Sequence, residues 1–173
     1  MFILACSSEE RPQKMTNGTY GTYISRSLGK NPDRQTAISA AQTAISGDST
    51  HRPSIRWVVR DPEGWLVAVQ KINQPQEKIL VWVTMEGDVF VPRIRSDFGT
   101  PDSSTTTLDS THVGPLALRI AQSFMLDTYV GRINRTPYGT FVNMLPKNPE
   151  TVDGGMLVWI SSPGEIAILS VGG

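Results

Sequence analysis

Ile79-Leu80-Val81-Trp82-Val83-Thr84-Met85-Glu86-Gly87-Asp88-Val89-Phe90-Val91 is the stretch that decides how the rest of the chain is read. Runs of β-branched, aromatic and aliphatic residues stand on both sides of Glu86-Gly87, the pattern of a β-hairpin. The pattern returns without gaps at Met156-Leu157-Val158-Trp159-Ile160-Ser161-Ser162-Pro163-Gly164-Glu165-Ile166-Ala167-Ile168. Leu, Val, Trp and Gly coincide and most other positions agree in type, with an offset of 77 residues (159 − 82). Recurrence at a fixed distance points to a duplicated unit. Convergence is the competing explanation, because any buried hairpin selects β-branched residues, an aromatic and a turn glycine. Duplication is the more economical of the two, since a helical pattern and an earlier strand precede each copy.

Outward from these hairpins, residues 54–60 and 65–72 flank Asp61-Pro62-Glu63-Gly64, in which Pro presets φ and Gly eases the exit. A first helix is expected with Asn31 as cap, Pro32 at its first position and Gly47 just past its end. Ala37, Ile38, Ala41, Ala44 and Ile45 give it a narrow apolar stripe suited to close packing on a sheet. A second, more apolar helix is expected over 115–129 from Leu116, Leu118, Ile120, Phe124 and Met125. Residues 138–145, bounded by Pro137 and Pro146, read as one more strand, and 97–110 as a polar loop joining the halves. The expected fold is therefore α+β, antiparallel β-hairpins with two helices in a duplicated helix–strands–hairpin unit. Residues 1–18 are expected to be a flexible N-terminal segment or tether. Residues 19–173 are expected to form a single β-rich domain with pseudo-repeated halves at about 31–96 and 111–173. The helix-then-hairpins order is similar to that of small PepSY-type modules, although no residue diagnostic of that family is present.

Composition narrows the function. The 173 residues carry 16 basic and 16 acidic side chains, a net charge of zero, so no cationic excess exists to bind phosphate backbones and no nucleic acid is expected. Charged residues are only 18% of the chain, which protects it poorly against self-association and leans towards a subunit with partners. The longest apolar run after the start, residues 79–83, is far too short to span a bilayer. The start itself, Met1-Phe2-Ile3-Leu4-Ala5-Cys6-Ser7-Ser8, resembles the lipobox of bacterial lipoproteins. That resemblance implies lipidation at Cys6, with a polar tether after it, and is the one route to a membrane. Only five residues precede Cys6, so the motif needs a start farther upstream; otherwise Cys6 is a small hydrophobe in an apolar end.

No constellation for catalysis or metal binding stands out. Asp109-Ser110-Thr111-His112 places triad residue types side by side, but immediate neighbours rarely reach triad geometry. One Cys and two His, His51 and His112, do not make a zinc site. Asp61 with Glu63, and Glu86 with Asp88, lie in hairpin turns where acids serve local hydrogen bonding. Arg56 and Arg60 share one face of their strand, with Trp57 and Val59 on the other. With Arg93 and Arg95 beside them, these arginines form either a basic strip for RNA or an acidic partner or, the preferred reading, a solvated sheet face backed by a core face. The tryptophans, Trp57 and Trp65 among them, are core anchors unless exposed, in which case they mark an interaction site.

These readings favour a non-enzymatic structural or interaction subunit of a larger assembly, without a cofactor. Its partners would be other protein subunits, in homo- or hetero-oligomers. A lipid-anchored accessory subunit of the bacterial cell envelope and a virion structural protein are two versions of that expectation. The alternative is a small-ligand or inhibitor-type binding module using the cleft between the halves. A hydrolase centred on His112 or His51 comes third.

Overall fold

The computed structural model describes residues 17–18, 20–24, 28–46, 52–71, 74–95, 110–150 and 155–171. Cys6 and His51 lie outside them. The elements run β1 (Asn17–Gly18), β2 (Gly21–Ile24), α1 (Arg34–Ser46), β3 (Ile55–Asp61), β4 (Gly64–Lys71), β5 (Gln74–Thr84), β6 (Val89–Pro92), β7 (Ile94–Arg95), α2 (Ser110–Ser123), β8 (Thr128–Thr136), β9 (Gly139–Pro146), β10 (Met156–Ser161) and β11 (Ile166–Val171). They form two antiparallel sheets and two helices, an α+β fold. The first sheet is ordered β1-β2-β6-β5-β4-β3 and the second β7-β11-β10-β9-β8.

The two sheets share one connectivity. In each, a short strand precedes the helix, a four-stranded meander follows it, and the leading strand pairs with the last strand of that meander. Even the register agrees: Tyr23 and Ile24 face Phe90 and Val89, as Ile94 and Arg95 face Ala167 and Ile166. The Trp-bearing hairpins repeat bond for bond. Thr84 N–H donates to Asp88 O at 2.9 Å and Ser161 N–H to Glu165 O at 2.8 Å. Asp88 N–H reaches Thr84 Oγ1 at 3.0 Å, and Glu165 N–H reaches Ser161 Oγ at 2.9 Å. Gly87 and Gly164 both hold the left-handed conformation, φ 92° and 90°, which an L side chain adopts only under strain.

The repeat extends past the segment the sequence reveals. Thr136-Pro137-Tyr138-Gly139 turns the β8–β9 hairpin as Asp61-Pro62-Glu63-Gly64 turns β3–β4, at an offset of 75 (139 − 64). A Cβ on Gly64 would fall 2.3 Å from Val83 O and 2.8 Å from the Trp82 ring. On Gly139 it would fall 2.5 Å from Ile160 O and 2.6 Å from the Trp159 ring. Both glycines thus leave space for the repeated tryptophan. A bulge also recurs, at Arg56 in β3 and Gly131 in β8, again 75 apart. A generic buried hairpin needs neither the bulge nor the Pro-x-Gly turn, so the likeness of the halves goes beyond what burial alone demands.

Four layers result. Leu66, Ala68, Leu80, Trp82 and Phe90 of the first sheet meet Phe141, Leu157, Trp159, Ala167 and Leu169 of the second in a shared central core. The alternate residues point outward: Val67, Val69, Val81 and Val83 pack under Ala37, Ala40 and Ala41 of α1, while Val142, Met144, Val158 and Ile160 pack under Val113, Leu116, Ala117 and Ile120 of α2. Because each sheet is covered on both faces, its central strands are apolar without alternation, as the sequence of β10 shows.

Both helices depart from the expected boundaries. Asp33, not Asn31, caps α1, its Oδ1 accepting from Thr36 N–H at 2.7 Å. That backbone hydrogen bond holds the Asp33 carboxyl below the usual carboxylate range. Asn31 instead takes a left-handed φ of 55°, and its N–H bonds Met85 O at 2.6 Å, fastening the loop before α1 to the β5–β6 turn. Helix α2 begins at Ser110, before Pro115, and ends at Ser123, well short of Tyr129. Its end is a left-handed Met125 (φ 56°), with Leu126 N–H bonded to Ala121 O and Met125 N–H to Gln122 O.

Candidate interaction surface

The seam between the halves absorbs the most polar chemistry of the molecule. Asp61 ends β3 and is fully buried. Its Oδ1 accepts from Glu63 N–H at 3.2 Å and from Arg132 at 2.7 Å, and its Oδ2 accepts from the Asn134 side chain at 3.2 Å. Arg132 reaches Glu63 as well, at 3.2 Å, and Asn143 also donates to Glu63. The bulge at Gly131 turns Arg132 towards this seam. A buried carboxylate with partners on both oxygens holds the two sheets in one alignment. Lys78 and Glu165 make a second ionic link between the sheets.

The opposite rim is aromatic. Trp57 stacks on Tyr138 at 5.0 Å with planes 9° apart, and lies 5.6 Å from Trp159, which itself packs on Phe141 at 4.7 Å. Trp57 and Val59 thus face the central core, as the strand reading expects. Trp65 is half-buried on the α1 side; its Nε1–H donates to Pro32 O at 2.9 Å. Arg60 covers its ring at 5.2 Å. Arg56 occupies the β3 bulge, is exposed, and donates to Pro75 O at 3.2 Å. Four residues named from sequence therefore divide between core, helix contact and bulge, and do not converge on one spot.

His112 is exposed on α2, its Nδ1 3.2 Å from Thr111 Oγ1, and among the described residues no carboxylate reaches it. No group of three or more potential metal ligands gathers among the described residues, and no described helix is long and apolar enough to cross a membrane. The interface between the halves is filled by the central core. Among the described residues, a cleft of about 190 Å³ lined by Tyr20, Tyr23, Phe90 and Leu169 is left beside it, below the several hundred Å³ of small-molecule pockets.

The feature missed by sequence reasoning lies at the start of β8. Turn 61–64 of the first sheet reaches Arg132 and Asn143, so the inner face of the second sheet continues past its cover. There Tyr129 and Leu145, paired directly across β8 and β9, stand 48% and 40% exposed. Leu145 lies where a side chain on Gly131 would be, 2.6 Å from its Cβ position. Met125 projects at the same end, 95% exposed. At the repeat-equivalent positions of the first half stand Ser54 and Gln70, joined by Gln70 N–H to Ser54 O at 2.8 Å. The overhang is thus polar in one half and apolar in the other. Its signal in the sequence is the contrast between Ser54/Gln70 and Tyr129/Leu145, visible only once the offset of 75 is known. No protein-family model, characterised protein or solved structure matches the chain.

Proposed function

We propose that this protein is a non-enzymatic interaction subunit of a larger protein assembly, docking through the apolar overhang of its second half. The observation that carries the reading is the asymmetry just described. Two copies of one structural unit differ at an exposed position that neither needs for its own packing, and only one displays an aromatic–aliphatic pair. Exposed apolar groups that are dispensable for the fold are what a partner surface buries. The acidic groups of the seam are engaged in holding the halves together.

A photo-activated cross-linking amino acid placed at position 129 in the native cell tests this, with position 54 as control. Adducts to protein at 129 and none at 54 are expected. An absence of adducts at 129, or equal capture at both positions, defeats the proposal. Mass spectrometry of the native N-terminus then separates the two versions of the assembly. A lipid-modified Cys6 supports a cell-envelope accessory subunit, and an intact Met1 rules out the anchor and leaves the virion protein.

A further inference from the structure

We infer that the overhang receives a second copy of this chain, in a two-fold contact that stacks the start of β8 and the end of β9 on their counterparts. The inference rests on the interaction reading above and names its partner. Three observations carry it.

The first is continuity. The inner face of the second sheet is already the face on which a copy of the same structural unit sits, since Phe141, Leu157 and Trp159 are buried against the first sheet. Tyr129 and Leu145 extend that face on the same strands β8 and β9, beyond the polar pair Arg132 and Asn143. A second molecule presenting its own overhang prolongs a packing mode the fold uses internally.

The second is charge. Asp127, just before β8, flanks Tyr129 on one side and Arg132 flanks it on the other. On the β9 side, Lys147 lies beside Asp127 at 2.6 Å, and Glu63 beside Arg132 at 3.2 Å. The apolar pair therefore sits between two acid–base couples of opposite sense. A half-turn about an axis lying in this face and running across the strands, at the level of Tyr129 and Leu145, turns the second copy end for end, so that the first sheet of each copy points away from the contact. It sets Asp127 of each copy against Arg132 of the other and Lys147 against Glu63, while Tyr129 and Leu145 meet their counterparts. A two-fold contact must be self-complementary in this way, and the pattern is neutral overall, like the chain.

The third is the first half. With Ser54 and Gln70 at the same repeat positions, the fold itself does not require apolar residues there. A chain of zero net charge that leaves Tyr129, Leu145 and Met125 in water has little to prevent self-association.

Sedimentation velocity of the purified chain across a wide concentration range provides the test. The expected result is a reversible monomer–dimer equilibrium. Tyr129→Ser with Leu145→Gln, the pair the first half carries, is expected to raise the dimer dissociation constant by at least about tenfold. Its far-UV circular dichroism should not change. Should that double variant lose its fold, Asp127→Lys, which sets a cation against Arg132 of the second copy, is expected to weaken the dimer, less so at high salt, and an Asp127→Lys chain that dimerises as wild type overturns the inference. A wild-type chain that stays monomeric up to its solubility limit overturns the inference, and so does a double variant that dimerises as well as wild type. A monomeric chain whose position 129 nonetheless cross-links to a different protein sinks the second copy while sparing the interaction reading. Absence of any adduct sinks both.

Discussion

The two halves bring the same backbone contacts to their shared interface and close them with opposite chemistry. By the offset of 75, Arg132 stands where Trp57 does, and Glu63 where Tyr138 does. On one rim the pair is ionic, reinforced by buried Asp61, Asn134 and Asn143; on the other it is a stack of Trp57 on Tyr138. The bulge and the Pro-x-Gly turn place the two positions, and any pair of groups that attract each other suffices there. The two solutions are not energetically alike. An aromatic stack adds contact area and some stacking energy, whereas a buried ion pair roughly offsets its own desolvation and penalises any alignment that parts it. The ionic rim therefore fixes how the sheets meet, and the aromatic rim contributes more of the net attraction.

The largest effects probe whether the halves are equivalent at their centre. Trp82 and Trp159 are fully buried at matching positions in one continuous core. Trp82→Ala and Trp159→Ala are each expected to lower stability by about 3–5 kcal/mol, measured by urea denaturation. Both variants should lose the whole molecule in a single transition, because the core is shared. If one half melts while the other survives, the halves are separate folding units and the comparison fails.

Smaller effects separate the rims. Arg132→Ala strips buried Asp61 of its cation and is expected to cost about 2–3 kcal/mol, at the low end for a broken buried pair because Arg132 is partly exposed. The triple replacement Asp61→Thr, Glu63→Tyr and Arg132→Trp writes the aromatic rim onto the ionic side. It should fall within about 1 kcal/mol of wild type. A triple variant as unstable as Arg132→Ala would show that position, and not only backbone placement, dictates the chemistry of each rim.

How much of this was legible follows from where the repeat keeps its spacing. The hairpins around Trp82 and Trp159 align without gaps, and the turn glycines Gly87 and Gly164 announce themselves. Between Val69 and Ile79, which pair across β4 and β5, lie fewer residues than between Met144 and Met156, which pair across β9 and β10. That difference shifts the offset from 77 to 75 and hides the kinship of the Asp61 and Thr136 turns. Strand β8 is concealed by its own bulge: Val130 and Ile133 face the same side three residues apart, so no two-residue alternation survives. The helical pattern of α2 runs on to Tyr129 because the residue that ends the helix is Met125, not glycine. Strands β2 and β7, of four and two residues, are too short to register. The ionic seam joins residues about seventy positions apart, and no local pattern couples Asp61 to Arg132.

The smallest effect concerns how the two helices end. In sequence Gly47 follows α1, whereas Met125 occupies the left-handed position after α2, φ 56° and almost wholly in water. A methionine there carries the steric strain of a Cβ in the left-handed region, roughly 1 kcal/mol, and at 95% exposure it recovers little of that by packing. Glycine would remove that strain, although its unfolded chain is freer, so Met125→Gly is expected to raise stability by about 0.5 kcal/mol. The same change takes a large apolar group away from the end where Tyr129 and Leu145 lie. If the overhang is an interface that Met125 joins, the variant should be slightly more stable as a monomer yet weaker in association, two readouts of opposite sign from one substitution. A variant that gains stability and associates as before would leave Met125 outside the docking surface and confine that surface to Tyr129 and Leu145.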